Sequence, residues 1–144
     1  MHRYVKGARS ERELLDIFHS NGYSVMRSAG SGVNAVSPDI IVFRQRRGLA
    51  FECKAWDRTS LAIEADKVEV LRKWELDTGM EFYIAWRMNG KGWFFITLQE
   101  LNKAGKNYTV TQRSALSINR RIEHLLGHAQ TVPQIRSAAQ ENRP

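Results

Sequence analysis

The chain has 144 residues, 42% of them hydrophobic and 10% aromatic, which suits one domain with a modest core. Its 22 Lys and Arg against 15 Asp and Glu give a net charge of +7, a balance that points to a polyanionic partner, nucleic acid above all. The single cysteine, Cys53, excludes an intrachain disulfide and Cys-rich zinc modules, and no apolar run approaches the roughly 18 residues of a membrane span. The opening MHRYVKGARSERE has no apolar signal core. The expectation is a soluble intracellular protein that keeps away from membranes.

In chain order, residues 1–8 are basic, contain Gly7, and read as an arm. A helix is predicted over 9–21, with Ser10 and Glu13 at capping-box spacing and Gly22 as its stop. YSVMRS (23–28) reads as a strand, and AGSGVNAVSP (29–38) as a Gly- and Ser-rich loop. DIIVFRQ and GLAFECKAW read as two strands of a hairpin, turned by RRG. A second helix is predicted over 61–78, with Ile63, Val70, Leu71 and Trp74 on one face and Gly79 ending it. FYIAWRM and GWFFITL are strands joined at Asn89-Gly90. TLQELNKAG predicts a short helix ending at Gly105. A helix over 114–126 would align Ile118, Ile122 and Leu125, and 128–144 is polar and reads as a tail. This order predicts an α/β fold with a central mixed β-sheet flanked by helices. The working division is a core over 1–105, an extension over 106–127 and the tail.

The chemistry concentrates between Pro38 and Trp56. Alternate strand residues share a face, so Leu49, Phe51 and Cys53 form one side of the second hairpin strand and Ala50, Glu52 and Lys54 the other. The first side reads as core. The second sets a carboxylate and an ammonium about 7 Å apart. Asp39 opens the partner strand, and the hairpin would bring it to the same end. Two carboxylates at short range favour a hard cation between them, Mg²⁺ first. Such a cation polarises a phosphoryl oxygen and acidifies water, and a neighbouring lysine can hold that water. Glu11 shares a helix face with Leu14, Leu15 and Phe18, so it is either a further ligand or a carboxylate favoured near a helix start. Arg27, Ser28 and Ser31 can grip phosphate oxygens. Lys6 and Arg9 add to this expected DNA-binding set. Arg44, Arg46 and Arg47 read as a solvated turn or else as a phosphate or partner contact, the four histidines show no metal spacing, and Cys53 reads as an inert core thiol.

The blocks KGARSERELL, GYSVMRSAGSG and PD…ECK, within residues 4 to 100, resemble the archaeal Holliday junction resolvases of the PD-(D/E)xK restriction-endonuclease-like superfamily. The resemblance implies a restriction-endonuclease-like fold and an endodeoxyribonuclease that nicks four-way junctions symmetrically. It implies metal ligands at Asp39, Glu52 and the backbone carbonyl of Cys53, the catalytic lysine at Lys54, and an essential acid at Glu11 that assists the metal site. The family's strand arginine falls on Arg27 and its loop serine on Ser31. Mg²⁺ is the implied ion, with Mn²⁺ able to substitute, and no small-molecule cofactor is implied. A homodimer is implied too, with Trp74, Trp86, Phe94 and Phe95 as candidates for its apolar surface. The rivals are another nuclease of this superfamily and a non-catalytic junction-binding protein.

Overall fold

Five strands and two long helices carry the apolar runs of the sequence. The computed structural model describes residues 2–28 and 36–127, with side chains from residue 7 onward. Helix α1 spans His2–Ser20. It is followed by strands β1 (Ser24–Arg27), β2 (Ile40–Arg44), β3 (Arg47–Lys54) and β4 (Ser60–Glu64), then helix α2 (Ala65–Thr78). Strands β5 (Glu81–Met88) and β6 (Gly92–Thr97) precede a single 3-10 turn at Leu98–Glu100. Strands β7 (Asn102–Ala104) and β8 (Asn107–Thr111) and the short helices α3 (Gln112–Ile118) and α4 (Ile122–Leu126) complete the described chain.

The main sheet has the order β1-β2-β3-β5-β6 and is mixed: β3 and β5 run parallel, and the other pairs are antiparallel. Strand β3 lies at its centre and is buried on both faces, as a central strand of such a sheet must be. Leu49 and Phe51 pack with Leu14 and Phe18 of α1, with Ala85 and Phe95 of the sheet, and with Leu125 of α4. Ala50 packs on the opposite face with Val68 and Leu71 of α2 and with a second, three-stranded sheet of order β4-β8-β7. Glu52 therefore lies on a covered face, where the sequence alternation had suggested an open one.

Local signals gave way to tertiary ones at several places. Helix α1 begins at His2, so the expected arm is its first two turns, and Ser10 sits buried in mid-helix and not at a cap. Gly7 has nothing within 4 Å of a would-be Cβ, so nothing there requires a break. The hairpin turn is Gln45-Arg46, both at positive φ (47° and 69°), while Arg47 and Gly48 belong to β3. Gly48 is needed for packing, since a Cβ there would lie 2.9 Å from Met80. SLAIE alternates inward Leu61 and Ile63 and is a strand because β8 pairs with it, which shortens the second helix to Ala65–Thr78. After the 3-10 turn, NKA pairs with β8, which displaces the expected helix ending at Gly105 and puts the expected boundary at 105 inside a hairpin. The helix expected over 114–126 breaks at Asn119, which is left-handed at φ 50°. The 106–127 segment carries Val110 and Ala115 into one core and Leu125 into the other. The tail expected over 128–144 lies outside the described residues.

Glu13 fastens α1 to the sheet. Arg87 Nε of β5 lies 3.1 and 3.2 Å from its two carboxylate oxygens, and Trp93 Nε1 of β6 donates to Oε1 at 2.9 Å. This tertiary pairing replaces the capping role that the spacing suggested. A Glu13→Ala chain leaves the buried Trp93 indole N–H without its acceptor. It should lose about 1–3 kcal/mol in urea unfolding, whereas a loss under roughly 0.5 kcal/mol would mean that apolar contacts alone hold the helix.

Candidate active site

β1, β2 and β3 meet at one end of the main sheet. The Ser28 N–H donates to the Asp39 carbonyl at 2.9 Å, and the Asp39 N–H donates to the carbonyl of Phe51, the residue that Ile40 faces, at 3.0 Å. The Asp39 side chain then continues the ladder in place of backbone: its Oδ2 accepts the Cys53 N–H at 2.9 Å. This bond fixes the carboxylate against β3 and beside Glu52.

Glu52 is 5% exposed, and its Oε1 has no hydrogen-bond partner. Lys67 Nζ of α2 lies 3.8 Å from that oxygen, close enough for an ion pair and too far for a hydrogen bond. The lysine donates instead to the Ser37 carbonyl at 2.7 Å. Burial first, and then the Asp39 carboxylate, push the Glu52 carboxyl from 4.5 up to about 8, against the weaker opposing pull of Lys67 and Lys54. Lys54 follows on the same face. Its Nζ lies 5.5 Å from the centre of the Trp56 ring, with the Arg58 guanidinium 5.2 Å from the same ring. The Trp56 carbonyl accepts the indole N–H of the buried Trp86 at 2.8 Å, which ties the segment after Lys54 to β5. An open cleft of about 310 Å³ runs along Gly7, Lys54, Trp56 and Arg58.

The α1 face contributes Glu11, whose Oε2 accepts from Arg27 Nε of β1 at 2.7 Å. With α1 starting at His2, Glu11 lies well inside the helix, so the helix-start explanation no longer applies. Expected as a further metal ligand, it is engaged by Arg27. Arg9 is exposed and sits about 200° around the helix from Glu11. Lys6 belongs to the first turns of α1, and Ser31 lies outside the described residues. Ser28 Oγ is 2.9 Å from Ser37 Oγ, at the mouth of the loop. Burial, then Asp39, Glu11 and Glu52, push the Cys53 thiol well above its usual value, which favours its protonated form.

A divalent cation fits this donor set. A buried carboxylate oxygen with no donor, beside a second carboxylate, is what a hard cation completes. Among the described residues no three His, Cys, Asp or Glu side chains gather at ligand spacing. Two carboxylates such as Asp39 and Glu52 are enough for a hard divalent cation that keeps several of its waters.

Lys67 is the site residue that sequence reading missed. It precedes buried Leu71 by four positions and Trp74 by seven, so it belongs to the inward stripe of its helix. That signal was present, but which sheet face the stripe meets was not legible.

A family model described as archaeal Holliday junction resolvase (hjc) matches residues 2–132. The chain belongs to this family. The match extends past residue 100, where the sequence resemblance had faded, in keeping with the way residues 106–127 complete both cores. As a resolvase family member it is 37% identical over 113 residues to the crossover junction endodeoxyribonuclease Hjc of Methanocaldococcus jannaschii, covering 78% of this chain and 80% of that protein. It is 36% identical over 108 residues to the enzyme of the same name from Archaeoglobus fulgidus, covering 74% and 79%. The 1.6 Å structure of Archaeoglobus fulgidus Hjc, a Holliday junction resolvase, superposes with a TM-score of 0.75 at 30% identity, over 85% of this chain and 96% of that one. The expected restriction-endonuclease-like fold is that of this resolvase family.

The Glu52 environment sets a pH dependence for the metal-free protein. Its folded carboxyl titrates above the unfolded value, so its contribution to stability is complete below about pH 4.5 and is lost as the pH rises to about 8. At pH 9 a Glu52→Gln chain should outlast the wild type in thermal melts by about 2–5 kcal/mol, and at pH 4.5 the two should coincide. Equal melting at both pH values would refute the buried-charge account.

Proposed function

We propose that this chain is a divalent-metal-dependent endodeoxyribonuclease that resolves four-way DNA junctions, with Mg²⁺ as its ion and one active site in each subunit of a homodimer. The observation that carries the reading is the buried Glu52 carboxylate, unpartnered at Oε1 and set beside Asp39 at the end of a resolvase-family sheet. Asp39, Glu52 and the Cys53 carbonyl hold the cation. When bound, the cation supplies charge for the scissile phosphate and acidity for the attacking water. Lys54, steadied by the Trp56 ring, orients that water and offsets negative charge as the phosphorus becomes five-coordinate. Glu11 orients Arg27, and Arg27, Ser28 and Ser31 grip the phosphate backbone, with Lys6 and Arg9 extending the basic surface. Binding through phosphates carries no sequence code and weakens steeply with salt. DNA as substrate assigns the protein to the cell interior; among the described residues no helix is long and apolar enough to cross a membrane.

The dimer needs an apolar face, and three of the four aromatics expected there do not supply it. Trp86, Phe94 and Phe95 lie inside the chain's own cores; only Trp74 of the four is partly exposed. We assign the dimer face to the β1–β2 edge of the sheet, where Met26 and Phe43, 60% and 43% exposed, share one face with Ile41 through the Met26–Ile41 register. A two-fold axis over this edge presents two like sites to two like strands. A Phe43→Asp chain should sediment as a monomer, and one that remains dimeric would place the interface elsewhere.

Asp39→Asn and Glu52→Gln chains should lose at least about 10³-fold in junction cleavage with Mg²⁺. Both should bind the junction as tightly as wild type in gel-shift titrations without metal. Lys54→Ala should cut more slowly than wild type by about 10²-fold or more. A linear duplex of the same sequence should be cut poorly. Normal cleavage by either carboxylate variant would end the metal-site assignment, and equal cutting of duplex and junction would end the substrate assignment.

A further inference from the structure

Helix α2 brings a fixed cation to the carboxylate atom that lacks a donor. Lys67 Nζ lies 3.8 Å from Glu52 Oε1. It is held there by its bond to the Ser37 carbonyl at 2.7 Å. The segment that carries Ser37 is itself fastened twice more, by the Ser28 and Ser37 hydroxyls at 2.9 Å and by Trp74 Nε1 on the Val36 carbonyl at 2.8 Å. The ammonium is thus anchored at the Ser37 carbonyl and faces Glu52 Oε1, which it does not hydrogen-bond. Its effect on Glu52 is Coulombic, and a divalent ion bound at that oxygen would meet the same charge with opposite consequence. Lys54 also pulls on Glu52, but less strongly than Lys67, and its Nζ lies 5.5 Å from the centre of the Trp56 ring.

We propose that Lys67 is the resident counter-cation of the active site. It neutralises part of the Asp39 and Glu52 pair before metal arrives, and it sets the affinity for the divalent ion by competing with it. The inference rests on the metal-site reading above. A unit charge a few ångströms away in a partly buried site changes binding by one to several powers of ten.

The test is calorimetric titration of Mn²⁺ into the metal-free full chain, without DNA, for wild type and for Lys67→Met, Lys67→Gln, Lys67→Arg and Glu52→Gln. Lys67→Met and Lys67→Gln should bind Mn²⁺ at least about tenfold more tightly than wild type. Lys67→Arg, which keeps the charge, should stay within about threefold of wild type. Lys67→Gln retains a donor for the Ser37 carbonyl and so carries the test if loss of that bond unfolds the Lys67→Met chain. Binding that depends on Glu52 and is indifferent to Lys67→Gln would overturn the proposal and leave the metal site standing. Binding that is unchanged in Glu52→Gln, or absent in wild type, would overturn the metal site and this proposal with it.

Discussion

A strand covered on both faces has no inexpensive position for a carboxylate, and this constraint shapes the whole sheet end. β3 is such a strand, and Glu52 is its buried acid. Every neighbouring feature answers to it. Asp39 is tied to the Cys53 amide and so faces the second carboxylate, α2 supplies a cation, and one oxygen is left open. In the proposed metal site, desolvation that would otherwise only destabilise the fold would favour a bound cation, because an ion entering there would relieve a cost already incurred in folding.

The two long helices divide the work. α1 is fastened to β5 and β6 through Glu13, and two positions earlier it delivers Glu11 to Arg27. α2 holds the far side of the Gly- and Ser-rich loop through the Val36 and Ser37 carbonyls. The side chains expected to meet DNA therefore stand on a frame set by ion pairs and backbone bonds, with the apolar cores behind it.

Much of this was legible in the residues themselves. Period-two alternation put Glu52 and Lys54 on one face, and the short hairpin brought Asp39 to them. Helical spacing put Glu11 on the inward side of α1. What sequence could not give was long-range. Leu61 and Ile63 look helical until β8 is there to pair with them, and Glu52 looks solvent-facing until α2 and the small sheet cover that side. The Ser10 and Glu13 pair has cap spacing, yet in the fold Ser10 lies buried in mid-helix and Glu13 accepts from Arg87 and Trp93. Lys67 needed the same missing knowledge: which face of the sheet its helix meets.

The pairing of β4 with β8 has a consequence for the order in which the molecule is made. Ser60 meets Thr111 and Glu64 meets Asn107, so the strand that follows the Glu52–Lys54 segment waits for residues near the end of the described chain. The β2–β3 hairpin closes locally and early, whereas non-local pairings of this kind close late. The small sheet on the Glu52 side of β3 is therefore completed only after the β2–β3 hairpin, when most of the stabilising contacts of the chain are available.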